Sequence, residues 1–455
     1  MRMHARAVAA CSGTRGEDHN ATVVPAYYAA DEETLDRVPL AKLQRRKLAA
    51  VLSAAKAGAF YRRKLEGINF DPARDPVEKL PFTTRAELER DQADNPPYGT
   101  NLTQPIEQYV RLHQTSGSSG GRPMRWLDTA ANWRWWKRLW GIIYTAAGVT
   151  KHDRILFPFS FGPFIGFWSA FESATELGCL SLSAGGMTTT ARLRFLLDNG
   201  CTVVCCTPTY ALRMAEVAAD ERIDLAGSAV RKLIVAGEPG GSIPATRQRI
   251  EQAWGARVFD HTGMTEIGAL GFECELAAGG VHLIESECIA EVIDPATGNP
   301  IDADVAEGEL VLTNLGRLDS PLIRYRTNDH VRLTRGRRCA CGRWFARMEG
   351  GILGRIDDMV VVRGNNVFPA SIEAIVRRFE GVAEFRIEVF EDGALSQMRV
   401  QLEAVPSVDG EELSRAVARA IQDTLNFRPE IAAVAPGTLP RFEMKAKRFV
   451  RTQPS

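Results

Sequence analysis

The chain has 455 residues, too many for one ordinary hydrophobic core, which predicts two or three domains. Its 56 basic and 56 acidic residues balance, so charge gives no reason to expect nucleic acid or an anionic membrane as a partner. No apolar run approaches the roughly 20 residues that cross a bilayer, and the N-terminus carries no apolar segment like that of a signal peptide. The nine cysteines form no secreted disulfide pattern, so we expect a cytoplasmic protein.

The first two thirds of the chain predict an α/β domain. Residues 1–30 are Ala-rich and unpatterned and predict a loose arm. Residues 35–65 predict one helix, and residues 83–87 predict a capped helix start. Farther on, helices alternate with short apolar strands, which is typical of a mainly parallel sheet with helices on both faces. The predicted strands are 153–157, 202–206, 232–236 and 257–260, and the predicted helices are 191–199, 210–219 and 244–254.

The last third of the chain has a different pattern. Beyond Gly271 it becomes β-rich, as in residues 309–313 and 330–333. After Gly354 a compact α+β unit is predicted. Its predicted strands are 359–362, 384–390 and 397–403, and its predicted helices are 371–379 and 411–425. We therefore expect an arm (1–30), a large domain (31–354) and a small domain (355–455).

The first candidate site is a loop of hydroxylated residues and glycines. It offers four hydroxyls and two glycines in six positions, and glycine lets backbone amides turn toward an anion. A flexible linker can have the same composition, but patterned segments flank this one. The loop lacks the lysine of a Walker motif. This predicted phosphate loop consists of Thr115, Ser116, Gly117, Ser118, Ser119 and Gly120.

Two further candidate loops follow predicted strands directly. Ligands of open parallel sheets bind at the carboxyl ends of strands, where residues 236–240 and 260–266 are expected. In the second loop, Thr265 can donate to a phosphate and Glu266 can hold Mg²⁺. Taken alone, residues 236–240 are better explained as an ordinary strand-to-helix turn, and a helix N-cap is the alternative for residues 260–266. The placement of both loops directly after strands favours a site. Farther along, Asp329 suits a ribose diol as a hydrogen-bond acceptor.

Five segments in this order resemble the adenylate-forming superfamily of acyl-CoA synthetases, nonribosomal adenylation domains and luciferases. The sequence is most similar to the phenylacetate–CoA ligase family within it, from about Phe60 to Arg441. The segments are 115–120, 236–240, 260–266, 325–329 and 354–358. The resemblance implies a large adenylate-forming domain, with parallel sheets flanked by helices plus a β-rich part, and a small mobile α+β C-terminal domain.

The resemblance also implies roles for individual residues. The loop of residues 115–120 would bind the β- and γ-phosphates of ATP, although Gly121 makes it one residue longer than is usual. Residues of the later segments would bind adenine, ribose, the α-phosphate and Mg²⁺. Lys445 would be the adenylation lysine, with Lys447 as the second choice, and Asp357 would be the hinge. The implied nucleotide-site residues are Gly237, Glu238, Pro239, Asp260, His261, Thr262, Thr265, Glu266, Asp329 and Arg355.

A group of cysteines and one histidine predicts a structural zinc site. Cys339 and Cys341 form a tight pair, and Cys274 and His282 precede them. Three thiolates and one imidazole complete a tetrahedral zinc shell. Cys288 competes as a ligand, and unligated thiols beside a surface histidine are the alternative. Clusters of this kind in the family favour zinc.

The acid pocket is predicted in a segment rich in aromatic residues. Its phenylalanines are interrupted by proline and glycine, which favours a loop lining a cavity over buried core. By analogy with the family, this favours an aromatic or short acid over a long fatty acid. The predicted lining residues are Phe159, Phe161, Phe164, Gly185 and Gly186.

The resemblance leaves several functions open. The leading hypothesis is ATP-dependent formation of an acyl-adenylate and then of a CoA thioester, with release of AMP and pyrophosphate. An enzyme that loads a carrier-protein thiol is the first alternative. A non-catalytic nucleotide-binding regulator is the second, although it would be expected to lose Lys445 or Glu266. A homodimer is also possible by analogy with the family.

Overall fold

The computed structural model describes residues 26–115, 123–362, 365–392, 395–442 and 446–452. The helices are α1 (Ala30–Glu33), α2 (Arg37–Ala55), α3 (Ala59–Lys64), α4 (Arg85–Asp94), α5 (Ala130–Ala146), α6 (Ile165–Glu176), α7 (Thr189–Asp198), α8 (Pro208–Asp220), α9 (Pro244–Trp254), α10 (Pro369–Val376) and α11 (Gly410–Leu425). The strands are β1 (Tyr109–Gln114), β2 (Arg125–Thr129), β3 (Arg154–Phe157), β4 (Leu180–Ser183), β5 (Val203–Cys206), β6 (Lys232–Val235), β7 (Arg257–Met264), β8 (Gly268–Cys274), β9 (Ala277–Leu283), β10 (Cys288–Ile293), β11 (Val305–Asn314), β12 (Tyr325–Thr334), β13 (Arg347–Arg355), β14 (Val360–Val362), β15 (Asn365–Val367), β16 (Val382–Asp392), β17 (Leu395–Ala404), β18 (Glu430–Val434) and β19 (Phe449–Thr452).

One half of the central sheet is parallel. It has the strand order β7-β6-β5-β3-β4, and each neighbouring pair runs in the same direction. Its strands are short apolar runs such as the four fully buried residues of β5, because helices cover both faces. The strand–helix alternation predicted this half correctly.

The other half of the sheet is antiparallel and continues from the same strand. Its order is β10-β11-β12-β13-β9-β8-β7, so β7 belongs to both halves of one sheet of 11 strands. Residues 257–260 of β7 pair in parallel with β6, and residues 261–264 pair antiparallel with β8. The predicted strand of residues 257–260 is confirmed, but the prediction of a loop directly after it was wrong for residues 261–264, which continue the strand. The partner strand β8 extends β7 past Asp260.

The predicted helix of residues 35–65 is interrupted. It divides into α2 and α3 at Gly58, whose extended backbone forms the N-cap of α3. A Cβ atom at this position would lie 3.0 Å from the carbonyl oxygen of Leu102, so a neighbouring segment approaches the break closely. The predicted capped start is confirmed, because Thr84 and Glu87 form a capping box on α4.

A smaller sheet with its own core follows the large one. Its order is β18-β17-β16-β19, with antiparallel pairing in the centre and parallel pairing at both edges. Helices α10 and α11 cover it, and Ile372, Val400 and Ile421 are fully buried between them. No helix within the described ranges is both long enough and apolar enough to span a membrane.

Candidate functional site

The carboxyl ends of the parallel strands carry most of the predicted site. The aromatic segment of residues 158–164 follows β3, and Gly185 and Gly186 follow β4. The loop containing Gly237 follows β6, which lies between β5 and β7. Parallel strands place their carboxyl ends at one edge, so acid-pocket and nucleotide candidates share that edge.

The described residues include the start of the phosphate loop. Its first residue, Thr115, is buried where the hairpin of β1 and β2 opens. The Thr115 amide donates to the Met124 carbonyl at 3.0 Å, and the Met124 amide donates to the Thr115 hydroxyl at 3.0 Å. These two bonds close the base of the loop. The other predicted phosphate ligands, Ser116, Gly117, Ser118, Ser119 and Gly120, lie outside the described residues.

The aromatic segment contacts the strand that leads into the phosphate loop. The amide of Gln114 donates to the carbonyl of Pro163 at 2.7 Å. Phe164 lies in the same segment and is the N-cap residue of α6. The predicted acid pocket and the predicted phosphate site therefore meet at one backbone contact.

Aromatic rings pack around Phe161. Its ring centroid lies 5.7 Å from that of Phe159 and 4.9 Å from that of Trp168. A Cβ atom on Gly185 would lie 3.1 Å from the Phe159 carbonyl, so the loops after β3 and β4 are in close contact. A Cβ atom on Gly186 would meet nothing within 4 Å. The structure thus brings the five predicted lining residues to one region, with space beside Gly186.

Glu238 connects two parts of the chain. Its carboxylate accepts a hydrogen bond from the Thr209 amide at 2.8 Å and another from the Ala446 amide at 2.7 Å. Gly237, which precedes it, has a φ of +94°, a conformation that favours glycine. Pro239 completes this turn. The predicted adenine loop therefore contacts the segment that carried the predicted lysine.

Thr265 and Glu266 lie in the turn between β7 and β8. Arg317 donates to the carbonyl oxygens of Thr265 at 2.8 Å and Glu266 at 2.9 Å. Its remaining nitrogens donate to both carboxylate oxygens of Asp128 at 2.7 Å, and this ion pair is fully buried. Asp128 lies on β2, the strand that follows the phosphate loop. The pair thus ties the hairpin that carries this loop to the Thr265–Glu266 turn.

The Glu266 carboxylate is buried with little compensation of its charge. Its nearest cation is Arg85, at 3.8 Å, and burial raises the pKa of Glu266 despite Arg85, Arg355 and Arg317. These arginines do not offset the cost of burying the carboxylate, and a bound cation would reduce that cost. Glu266 is therefore chemically suited to a divalent cation.

Asp260 is buried next to a second acid. It accepts a hydrogen bond from the Ser242 hydroxyl, and its amide donates to Glu273 at 3.0 Å. Burial, with the negative charge of Glu273, raises the pKa of Asp260 to about 7. Asp260 thus lies at the strand junction with its carboxylate already engaged by protein groups.

His261 and Thr262 lie on the antiparallel part of β7. The ring of His261 is buried 4.5 Å from that of Trp140, and its Nδ1 atom lies 2.6 Å from the Gly271 carbonyl. Burial lowers the pKa of His261 to about 4. Thr262 lies over Gly271, where a Cβ atom would collide with the threonine hydroxyl. Their roles in nucleotide binding stay predictions.

The predicted ribose and hinge residues are joined by one arginine. Arg355 pairs in register with Asp329 and donates to its carboxylate at 3.2 Å and to the Thr327 carbonyl at 3.1 Å. The same guanidinium donates to both carboxylate oxygens of the exposed Asp357, at 3.0 and 3.1 Å. These two acids raise the pKa of Arg355 despite burial. The structure therefore brings the three predicted residues together.

The predicted metal ligands form a cluster. The ligand atoms of Cys274, His282, Cys339 and Cys341 all lie within 4.8 Å of one another. The Sγ atom of Cys274 lies 3.8 Å from the His282 Nε2 atom and 3.9 Å from the Cys339 Sγ atom. Around tetrahedral zinc, such atoms are separated by about 3.5–3.8 Å. The donor set and spacing fit zinc, and the competing ligand Cys288 is not part of the cluster.

Comparisons with known proteins identify the family. A model of the AMP-binding enzyme C-terminal domain matches residues 364–453. A phenylacetate-coenzyme A ligase from Escherichia coli K12 is 30% identical over 431 residues, which cover 91% of this chain and 95% of the relative. The chain belongs to the phenylacetate–CoA ligase family. It is an AMP-forming acid–CoA ligase that converts an acid into an acyl-adenylate and then into a CoA thioester.

Solved structures of a 2-hydroxyisobutyryl-CoA ligase agree with the fold of this ligase. The relative in the postadenylation state, in complex with 2-HIB-AMP, has a TM-score of 0.88 and 27% identity over 96% of this chain and 95% of its own. In complex with 2-HIB-AMP and CoA in the thioesterification state, it has a TM-score of 0.70 and 28% identity over 95% and 94%. The arrangement described here is thus closer to the postadenylation state.

The C-terminal segment of the ligase contains the predicted lysines. Lys445 lies outside the described residues, and Lys447, the second choice, is exposed. Ala446 and Arg448, which flank Lys447, both contact the large sheet region, through Glu238 and Thr209. Lys445 stays a prediction, since only its neighbours are described.

Sequence reasoning missed several residues that hold the site of this ligase. Arg317 and Arg448 belong to no recognisable motif, and their partners Asp128 and Thr209 are 189 and 239 positions away. The one available signal was an arginine followed by an apolar residue, Leu318 in one case and Phe449 in the other. That signal identifies a buried cation but not its partner.

Proposed function

We propose that this ligase activates a flat aromatic acid or a short acid, bound by residues 158–164 with Gly185 and Gly186. The hydrogen bond from Gln114 to Pro163 carries the proposal, because it joins the aromatic segment to the strand leading into the phosphate loop. An acid bound among the aromatic rings then has its carboxylate next to the phosphates. The names of the curated relatives, which are phenylacetate ligases, support an aromatic acid.

In the proposed first half-reaction, the acid carboxylate attacks the α-phosphorus of ATP. A P–O bond to the carboxylate forms, and the bond to pyrophosphate breaks. The hydroxyls and amides of residues 115–120 bind the β- and γ-phosphates and stabilise the charge of the leaving group. Thr265 donates to the α-phosphate, and Lys445 neutralises charge between carboxylate and phosphate.

The remaining nucleotide contacts follow from the positions of the loops. Both carboxylate oxygens of Glu238 are taken by backbone amides. We therefore assign adenine to the backbone of the loop of residues 237–239, and the ribose diol to Asp329. Arg355 orients Asp329 and also binds the proposed hinge residue Asp357, so it links ribose binding to domain rotation.

In the second half-reaction, the CoA thiol attacks the carbonyl carbon of the acyl-adenylate. A C–S bond forms, the C–O bond to AMP breaks, and the thiol proton leaves to solvent. The protein needs no nucleophile of its own for this step. A carrier-protein thiol is the alternative acceptor, and it would require a protein-binding groove at the same entrance.

We assign two metals to this ligase. Glu266 would hold Mg²⁺, which supplies charge neutralisation at the phosphates when bound. Cys274, His282, Cys339 and Cys341 would hold zinc in a closed, structural site. We also propose that the enzyme is cytoplasmic. We propose further that it is a homodimer, and sedimentation of the purified protein tests the oligomeric state.

A panel of acids tests the proposed substrate class. We expect kcat/KM for release of AMP and pyrophosphate with at least one of phenylacetate, benzoate and the short acid 2-hydroxyisobutyrate to exceed that with palmitate by at least about tenfold. Each assay is run with CoA and without it, because CoA as acceptor makes turnover CoA-dependent. A preference for palmitate contradicts the assigned pocket. Pyrophosphate release that CoA does not accelerate favours the carrier-protein alternative.

A further inference from the structure

Four described residues connect the C-terminal segment to the carboxyl ends of β5 and β6. Thr209, in the first turn of α8 after β5, donates its amide to Glu238 at 2.8 Å. Glu238, after β6, accepts the Ala446 amide at 2.7 Å. Arg448 donates from Nη1 to the Thr209 hydroxyl at 3.0 Å. We call Thr209, Glu238, Ala446 and Arg448 the latch.

Arg448 is paired with acidic residues of its own unit. It donates from Nε to Glu384 at 2.6 Å and from Nη2 to the same carboxylate at 2.9 Å. A second acid, Glu373, lies 3.6 Å from Nη1, and a second cation, Arg377, lies 3.6 Å from Glu373. Both acids belong to the same four-stranded unit as Arg448. The guanidinium therefore stays neutralised whether or not it contacts Thr209.

The latch can open and close reversibly because Arg448 and its counter-ions lie in the same unit. If the unit moves away from the large sheet, the ion pair of Arg448 with Glu384 moves with it and no buried charge loses its partner. The hydrogen bonds lost at the latch are the one to Thr209 and the one from Ala446 to Glu238. A hydrogen bond of a charged group changes an equilibrium by about tenfold or more. A free-energy cost of this size favours the latched arrangement but still allows the open arrangement to be populated.

We propose that Arg448 and Thr209 are positioning residues whose hydrogen bond holds residues 446–448 against the carboxyl ends of β5 and β6 during adenylation and breaks for thioester formation. The proposal rests on the proposed function, in which Lys445 acts only in the first half-reaction. Ala446 directly follows Lys445 in the sequence, and the Ala446 amide binds Glu238 in the predicted adenine loop. The greater similarity to the postadenylation relative supports this assignment, because the latch is formed in that arrangement.

The test measures the two half-reactions separately in Thr209→Val. Valine removes the hydroxyl that Arg448 contacts but keeps the amide that binds Glu238. We expect acid-dependent exchange of pyrophosphate into ATP to fall about tenfold. Thioester formation from chemically prepared acyl-adenylate and CoA is expected to stay within about twofold of the unaltered enzyme or to rise. A parallel fall in both half-reactions, or exchange within about twofold of the unaltered enzyme, overturns the proposal.

Two further variants sharpen the test. Arg448→Lys keeps a cation for Glu384 but cannot serve Glu384 and Thr209 together, so we expect the same split between half-reactions. Thr424→Val is the matched control, because the Thr424 hydroxyl donates only within its own helix, to Ala420 at 2.8 Å. It is expected to leave both half-reactions unchanged.

Amide hydrogen exchange supplies a readout that needs no acid substrate. Opening of the latch exposes the Ala446 amide, so exchange in residues 446–452 is expected to be several times faster in Thr209→Val than in Thr424→Val. If exchange accelerates while no acid yields AMP even in the unaltered protein, the proposed function fails and the latch stands. If exchange is unchanged, the latch fails.

Discussion

Arg317 is the residue on which the geometry of the Thr265–Glu266 turn depends most. Its guanidinium is fully buried, lies 5.1 and 5.4 Å from the rings of Trp126 and Trp136, and is neutralised by Asp128. Burying such a pair costs desolvation free energy that the mutual attraction barely recovers, so stability alone does not explain it. Its two donations to carbonyl oxygens explain it better, because they fix the backbone that presents Thr265 and Glu266.

We expect Arg317→Lys to reduce pyrophosphate exchange about tenfold, because lysine keeps the charge opposite Asp128 but cannot reach both carbonyl oxygens of the turn. The measurement is the exchange rate at saturating ATP and acid. Arg324→Lys is the matched control. Arg324 also binds a carboxylate and two carbonyl oxygens, and it stacks on Phe82. Equal exchange in the two variants argues against a positioning role for Arg317.

Asp260 gives the ligase a specific pH dependence of stability. Its pKa is about 7 in the folded protein, against about 3.9 in an unfolded chain. A raised folded pKa means that the stability it contributes is fully present below pH 4 and is lost as pH rises toward 7. Relative to Asp260→Asn, the unaltered protein is expected to lose about 2–4 kcal/mol between pH 4 and pH 8. Urea unfolding without nucleotide measures this, and a pH-independent difference contradicts it.

Site residues that belong to a local motif were predictable from the sequence. The buried residues that hold them in place were not. The Cys339–Cys341 pair, the earlier Cys274 and His282, and the resemblance to the family were enough to predict the four members of the cluster. Arg317 and Arg448 carry equal weight in the site, but their partners are distant in the chain and no local pattern marks them. Only the folded chain reveals which buried arginine faces which acid.

At the scale of elements, the cysteine–histidine cluster joins two strands and a loop. Cys274 ends β8, His282 lies on β9, and the Cys339–Cys341 pair lies between β12 and β13. The Nδ1 atom of His282 lies 3.3 Å from the Phe345 carbonyl, which orients the ring. A metal here would fix a long loop against the middle of the antiparallel half.

We expect about one zinc ion per chain in the purified ligase, and its loss in Cys339→Ser with a fall of about 5 °C in the unfolding midpoint. Elemental analysis and thermal unfolding are the measurements. Cys288→Ser is the control, because its thiol is fully buried outside the cluster. That variant is expected to lose some stability but no zinc. A Cys339→Ser protein with full zinc content removes the assigned site.

Elements were predictable where the local pattern is strong. The apolar runs of β3, β5 and β6 fall close to the predicted positions, because strands covered by helices on both faces are apolar throughout. The break at Gly58 and the full length of β7 were missed. The break depends on residues near Leu102, which are distant in the sequence, and the length of β7 depends on its pairing with β8, the next strand along the chain.

For the whole molecule, the buried residues form separate cores. The core of the four-stranded unit includes Val400 and Ile421 and is distinct from the two cores of the large sheet region. Separate cores predict separate cooperative units. The latch, the contacts of Arg355 and the chain itself then couple the units.

Ile421→Ala is expected to destabilise the four-stranded unit by about 2–5 kcal/mol, because the side chain is fully buried and alanine leaves a cavity. We expect an earlier calorimetric transition for this unit and an unchanged transition for the rest. Leu193→Ala, in a core of the large region, should give the opposite pattern. A single transition that shifts as a whole in both variants indicates one cooperative unit.

The shared strand β7 places a limit on the length of the chain at the nucleotide site. Asp260 ends the stretch paired with β6, and His261 begins the stretch paired with β8. One inserted or deleted residue here would turn every later side chain of the strand to the opposite face and shift Thr265 and Glu266 away from Arg317. We therefore expect related sequences to differ by substitutions between residues 257 and 266 but to keep the same number of residues there.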